Sequence, residues 1–347
     1  MSTLTGVVGD TIVIVRKNKS IYTSRVDELL ADCQQTESGP KFSGIELWSN
    51  DSFQPLENIS KVESNEQIVR VLTNTGVIDC CLNYKLVRQK NKPASIGDLA
   101  PSKSRLAHQT DVSLLLKQYE LLPDEVECPD AFALGAFASF GSCCTLSAES
   151  GAYWQIDHKD ANFLTKVKQC LPFHTVVYDP VPPSDKYRLT LLCDERLPCG
   201  YYRSIFYNKH GDKRVPDFIM NASKAILTRF WAGFLPSGQP TIQHLKSHGT
   251  VIACGKQLAA DMWLLAHRIG FHVVLYEHLS TVEADLTTFD LHCLWMKSKY
   301  DPTEVRYVYE LSKSGEKRTV YRVKVANASM FSVAPGNLLI SNATDNK

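Results

Sequence analysis

Eleven cysteines invite a metal reading, and their spacing refuses it. Cys33, Cys80, Cys81, Cys128, Cys143, Cys144, Cys170, Cys193, Cys199, Cys254 and Cys293 form no C-x-x-C pair, and adjacent pairs such as Cys80-Cys81 do not suit a zinc knuckle. Reduced, mostly buried thiols are expected, because free cysteine packs as a small hydrophobe. Residues 201–214 suggest a different chemistry. Arg203, Lys209, Lys213 and Arg214 stand there against Asp212, with Tyr201, Tyr202 and Tyr207 interleaved. Cations mixed with aromatic rings suit phosphate contact and packing on sugar or base. Tyr201, Arg203, Lys209, Lys213 and Arg214 are therefore candidate DNA-contacting residues.

The elements that would position such groups begin and end in β-structure. Residues 11–17 are a β-branched run closed by the turn-prone Asn18, and residues 26–30 predict a short helix. Residues 68–72 lead through Thr75-Gly76 into Val77-Ile78-Asp79 as a hairpin. Leu114, Leu115, Leu116 and Leu121 follow the cap candidate Asp111 at helical spacing. Residues 130–140 form a helix with no internal charge, in which Ala131, Gly135 and Ser139 fall four apart; a second helix backbone can approach that face closely. Residues 161–171 are amphipathic, between strands at 153–156 and 175–178. A second round follows: helices at 223–235, centred on Gly233, and 255–269, then a strand at 272–276. The repeated order indicates a weak internal duplication. Alternating strands return at 305–309 and 319–325, and the chain closes on 337–340.

At 347 residues the chain is long enough for about two domains, and 44% hydrophobic content provides real cores. Lys plus Arg is 38 against 37 for Asp plus Glu, which argues against a broadly basic coat protein. No membrane-spanning run or signal-peptide pattern is present, so an intracellular location, nuclear or cytoplasmic, is expected.

Taken in order, Gly6-Val7-Val8-Gly9-Asp10-Thr11, the segment 71–79, the two small-residue helices around Gly135 and Gly233, residues 213–222, and the end Ile340-Ser341-Asn342-Ala343 resemble an intein. The resemblance is to a self-splicing Hint domain carrying an inserted LAGLIDADG homing endonuclease, and it covers nearly the whole chain. It implies an α+β fold. A discontinuous all-β Hint-like domain (1–107 and 302–347) would be interrupted by a pseudo-twofold αββαββ-type endonuclease-like domain (108–301, repeats about 127–180 and 223–300). It further implies a monomer with duplex DNA as partner, Gly135 and Gly233 at the helix interface, and Lys213 near the cleaved phosphate.

The same resemblance implies reactive positions that this chain has lost. Each LAGLIDADG helix should end in an acid that holds a divalent cation. Phe140 takes the first such position and Gly238 the second. Splicing should start from a Cys or Ser where Gly6 stands, with a His where Tyr84 stands in Cys81-Leu82-Asn83-Tyr84. Ser341 replaces the penultimate His and Ala343 the downstream nucleophile, while Asn327-Ala328-Ser329-Met330 carries no proton donor. Only Lys213 and Asn342 remain as candidate reactive groups. Five residues precede Gly6 and five follow Asn342, so little flanking protein is expected.

The leading expectation is a free-standing, catalytically inactive relative without metal or cofactor that keeps duplex DNA binding or acts as a scaffold. An active Mg²⁺-dependent endonuclease using acids that do not align with the motif is the alternative; Asp130, Asp185 and Asp290 read as solvated or capping carboxylates, and no pattern brings two of them to the helix ends. Residual Asn342 cyclisation or protein splicing is the second alternative.

Overall fold

Alternating and β-branched residues put most of the chain's first hundred residues into strands. In the computed structural model, residues 5–36, 39–49, 51–89, 92–108, 112–119, 128–145, 152–180, 184–191, 196–235, 250–279, 287–294 and 301–342 are described. The strands β1 (Ile12–Lys17) and β2 (Ser20–Arg25) form a hairpin, turned by Asn18 and Lys19 at φ 50° and 69°. Two successive left-handed residues suit the right-handed twist of the flanking strands. Then come α1 (Val26–Ala31), β3 (Gln34–Thr36), β4 (Gly39–Lys41), β5 (Ile45–Ser49), β6 (Ser52–Ser64), β7 (Ile68–Thr73), β8 (Val77–Cys81), β9 (Lys85–Arg88) and β10 (Lys92–Ser95). The expected hairpin at 68–79 is β7 with β8, in the register Val71↔Ile78.

The leucine run gives only α2 (Ser113–Leu116), a shorter helix than the spacing predicts. Leu115 is fully buried whereas Leu114 is 40% exposed, so one leucine of the pair meets a core. Asp111 and Leu121 lie outside the described residues.

There follow α3 (Ala131–Phe140), β11 (Gly141–Thr145), β12 (Ala152–His158), α4 (Ala161–Cys170), β13 (Thr175–Tyr178), β14 (Tyr187–Leu191), α5 (Arg196–Phe206), α6 (Asp217–Met220) and α7 (Lys224–Phe234). Asp160 caps α4 by accepting from the Asn162 amide at 2.8 Å, and Ser223 caps α7. The sheet runs in the order β11-β12-β14-β13, antiparallel throughout.

The rest of the chain comprises β15 (Thr250–Cys254), α8 (Lys256–Ile269), β16 (His272–Leu279), β17 (Thr287–Leu294), β18 (Val305–Glu310), β19 (Arg318–Val325), β20 (Met330–Ala334) and β21 (Leu338–Ser341). A nine-stranded sheet follows the order β10-β9-β21-β20-β1-β5-β6-β19, with β2 on β1. Strands from both ends of the chain are neighbours in it, with Ile12 opposite Ala334. β18-β7-β8 and β15-β17-β16 form three-stranded sheets. Val13, Val15, Leu47, Val71, Ile78, Phe331, Val333 and Ile340 belong to the core cluster these strands enclose.

The chain divides into two compact units, Met1–Glu120 with Gly249–Lys347, and Leu121–His248. The sequence boundary at 301/302 would put α8 with the middle segment; the contacts group it with the first unit. Two buried polar clusters hold it there. Lys256 donates to Asp10 and Asp79 at 2.9 Å each, and Arg70 grips Asp79 through two hydrogen bonds of 2.6 Å. Further along α8, Gln257 donates to Thr23 at 2.7 Å and to Asp261 at 3.2 Å, while the Thr23 hydroxyl donates to Asp261. Among the described residues no helix is long and apolar enough to cross a membrane.

Candidate functional site

In the first unit, the positions named by the intein resemblance converge. The segment after Thr5 lies extended between β8 and β19. Val7 exchanges hydrogen bonds with Tyr321, at 3.0 and 2.7 Å, and the Gly6 carbonyl accepts from the Cys81 amide at 3.0 Å. A Cβ on Gly6 would stand 2.6 Å from the Tyr321 oxygen. That position therefore lacks room for a nucleophilic side chain as well as lacking one. Cys81 offers no ready replacement: burial raises its thiol pKa, and the thiol donates to the Ser64 hydroxyl at 3.7 Å. Burial pushes Cys80 up further.

Tyr84 follows Cys81 through a tight turn, its amide donating to the Cys81 carbonyl at 2.8 Å. Its phenol donates to the Ser341 carbonyl at 2.7 Å. Burial drives the phenol pKa far up, so the group stays a protonated donor and cannot exchange protons as an imidazole would. Asn342 is held on three sides. Its amide nitrogen donates to Val325 O (2.7 Å) and Ala328 O (2.6 Å), and its amide oxygen accepts from Val325 N (2.8 Å). Its main-chain N–H donates to Ser329 O at 2.9 Å. Gly6, Cys81, Tyr84, Ser341, Asn342 and the 327–330 corner thus form one hydrogen-bonded neighbourhood. Ala343 lies outside the described residues.

In the second unit the candidate centre is the helix pair α3–α7. A Cβ on Gly135 would stand 1.9 Å from Phe230 O, and one on Gly233 would stand 1.8 Å from Phe132 O. The contact is reciprocal, and only glycine at both crossing points allows it. At the end of α3 the Phe140 ring meets His158 and Phe163 edge-on, with centroids 4.9 and 5.8 Å away. Gly238 lies outside the described residues.

Lys213 turns inward, where sequence reasoning put it against a phosphate. Its ammonium donates to Phe137 O and Ala138 O at 3.1 Å each and to Gly141 O, and lies 5.5 Å from the Phe137 ring centre. These carbonyls belong to the last turn of α3 and its exit, where a cation complements the helix dipole. Burial lowers the Lys213 pKa to about 8, leaving it charged at neutral pH. The Phe140 ring and an ammonium already on the carbonyls do not fit a divalent cation at this end of α3. Among the described residues no three His, Cys, Asp or Glu side chains gather as a metal site.

The remaining candidate DNA contacts divide by exposure. Residues 201–206 are helical, on α5, and residues 208–212 close a turn in which the Asn208 side chain accepts from the amides of His210 and Asp212 at 3.0 and 2.8 Å. Tyr201 is 51% exposed. Arg203 is exposed and lies over the Tyr207 ring at 4.5 Å, and Lys209 is exposed on the turn. Arg214 is ion-paired with Asp217. Outward cations therefore come from Arg203 and Lys209.

Sequence reasoning missed the Arg70–Asp79–Lys256–Asp10 cluster. One signal was present: Lys256 begins α8, where the helix dipole disfavours a cation unless acids compensate it.

No family model matches the chain. It is similar to a DNA polymerase of Acanthamoeba polyphaga mimivirus, 22% identical over 363 residues, covering 97% of this chain and 20% of the polymerase. The chain thus spans about a fifth of the length of the curated relative it matches. An intein from a hyperthermophile is 15% identical, over 29% of this chain and 70% of that one, at a TM-score of 0.26. The homing endonuclease I-DmoI, in its crystal structure with DNA and Mn, is 14% identical over 47% of this chain and 88% of that one, at a TM-score of 0.31.

Proposed function

We propose that the chain is a catalytically inactive relative of homing-endonuclease-bearing inteins that binds duplex DNA without cutting it. The observation that carries the inactivity is the junction neighbourhood: Gly6 has no room for a side chain, Tyr84 donates to Ser341, and Asn342 is fully hydrogen-bonded. On this reading each position that lacks its splicing group has hydrogen bonds of its own, which supports a stable inactive state. DNA binding rests on Tyr201, Arg203 and Lys209, which offer an aromatic surface and two outward cations. Lys213 serves the fold, and Arg214 is neutralised by Asp217. The similarity to part of a viral DNA polymerase supports a nucleic-acid setting for this chain.

Titrating duplex DNA into the protein at several salt concentrations, read by fluorescence anisotropy, tests the reading. Binding that weakens with salt is expected, with the slope falling by about one on Arg203→Ala or Lys209→Ala. No binding at low salt would leave only a scaffold role. Defined cleavage products in Mg²⁺, abolished by EDTA, would replace this reading with an active endonuclease.

A further inference from the structure

Among the positions marked by the resemblance, Asn342 keeps a side chain able to attack its own backbone. Cyclisation would bring its amide nitrogen onto the Asn342 carbonyl carbon. A C–N bond would form as the peptide bond to Ala343 broke, and the amide's proton would pass to the departing amine. Both hydrogens of that nitrogen are already donated, to Val325 O and Ala328 O, and the oxygen already accepts from Val325 N.

The place of these bonds explains their purpose. Tyr321 of β19 exchanges its N–H and C=O with Val7, so Tyr321, Val323 and Val325 present their backbone groups on one edge of the strand. Val7 covers that edge at Tyr321. Among the described residues no strand follows at Val325; the Asn342 amide supplies the N–H and C=O that a neighbouring strand would. The register of β19 on β6 also shifts between Lys324 and Val325, where the ladder is locally disrupted.

We propose that Asn342 is a structural clasp. Its amide acts as a one-residue strand that closes the open edge of β19 and ties the 325–328 corner to the end of β21, and this engagement keeps the backbone intact at Asn342. Three ordinary hydrogen bonds must open before the nitrogen can turn on its own carbonyl, which slows cyclisation on the order of a hundredfold.

Two measurements on the full chain, without DNA, test this separately from the DNA-binding reading. Ser341→His restores the imidazole that the resemblance expects beside the terminal Asn. With the clasp in place, the intact mass of S341H stays whole over a long incubation; loss of residues 343–347 would show that the missing His alone prevented reaction, and would overturn the proposal. Asn342→Ala should strip the Val325 amide of hydrogen-exchange protection by on the order of tenfold or more and lower the melting temperature, while amides in β7 and β8 stay protected. Unchanged protection at Val325 would also overturn it, and decides the matter should S341H not fold.

Discussion

Around Asn342 the side chains and backbone are joined by hydrogen bonds, whereas at the end of α3 the Phe140 ring is packed on other rings. Tyr84, Ser341, Asn342 and Val325 form a directional network. Phe140, His158 and Phe163 form an aromatic one, with Lys213 spent on carbonyls beside it. Hydrogen bonds tolerate few replacements because each donor needs its acceptor. Apolar contacts tolerate several, provided volume is kept. The two regions should therefore fail differently under substitution, the junction by chemical type and the helix pair by size.

The sharpest break in that comparison is a single methyl group. Gly135→Ala or Gly233→Ala would drive a Cβ into a facing carbonyl from below 2 Å, and no side-chain movement relieves a clash with backbone. Separating α3 from α7 should cost about 4 kcal/mol, beyond ordinary overpacking, and leave the second unit unfolded or loosely packed. Urea unfolding checks it; near-wild-type stability would mean that the helix crossing is not tight.

Next in size is the buried ion cluster that joins α8 to the first unit. Asp79→Asn leaves Arg70 without its carboxylate and Lys256 with Asp10 alone, at a cost of about 3 kcal/mol. Burial alone would raise the Asp79 pKa, but Lys256 and Arg70 hold it below its usual 3.8. A carboxyl whose folded pKa is depressed gives stability that is present above the unfolded value and lost as pH falls through the folded one. The wild-type protein should therefore lose stability below pH 3.8 more steeply than D79N, measured by thermal melts across that range.

Local patterns were legible in the sequence; long-range pairings were not. Thr75-Gly76 between two β-branched runs announces the hairpin of β7 and β8, and the four-residue spacing of Ala131, Gly135 and Ser139 announces a close helix neighbour. The family resemblance named the junction positions but not their bonds. Nothing in local pattern connects Tyr84 with Ser341, 257 residues apart, or Asp79 with Lys256, 177 apart. Lys213 misleads for another reason: a cation in a basic stretch reads as outward, and only the buried carbonyls at the end of α3 explain its inward turn.

Lys213→Met keeps the stem and removes the three donated hydrogen bonds; Phe137 O keeps the Gly141 amide, while Ala138 O and Gly141 O lose their ammonium donor. A loss of about 2 kcal/mol is expected. The salt dependence of DNA binding should be unchanged, unlike that of Arg203→Ala. A slope reduced as in R203A would return Lys213 to the phosphate-facing role that the resemblance suggested.

The smallest expected effect tests the junction network at one atom. Tyr84→Phe removes the hydroxyl and leaves the ring in place, so the Ser341 carbonyl loses its 2.7 Å donor and nothing else moves. The cost should be about 1 kcal/mol, the net value of one hydrogen bond. It should be local: exchange at the end of β21 should quicken while the β1–β20 pairing stays protected. Tyr84→His, by contrast, fits poorly, because an imidazole is shorter than a phenol and cannot reach the same carbonyl from the same backbone. Y84H should therefore be less stable than Y84F, although His is the residue type that the resemblance leads one to expect there. If Y84H proved the more stable of the two, the junction would be shaped for an imidazole, and the contrast with the aromatic end of α3 would lose its basis.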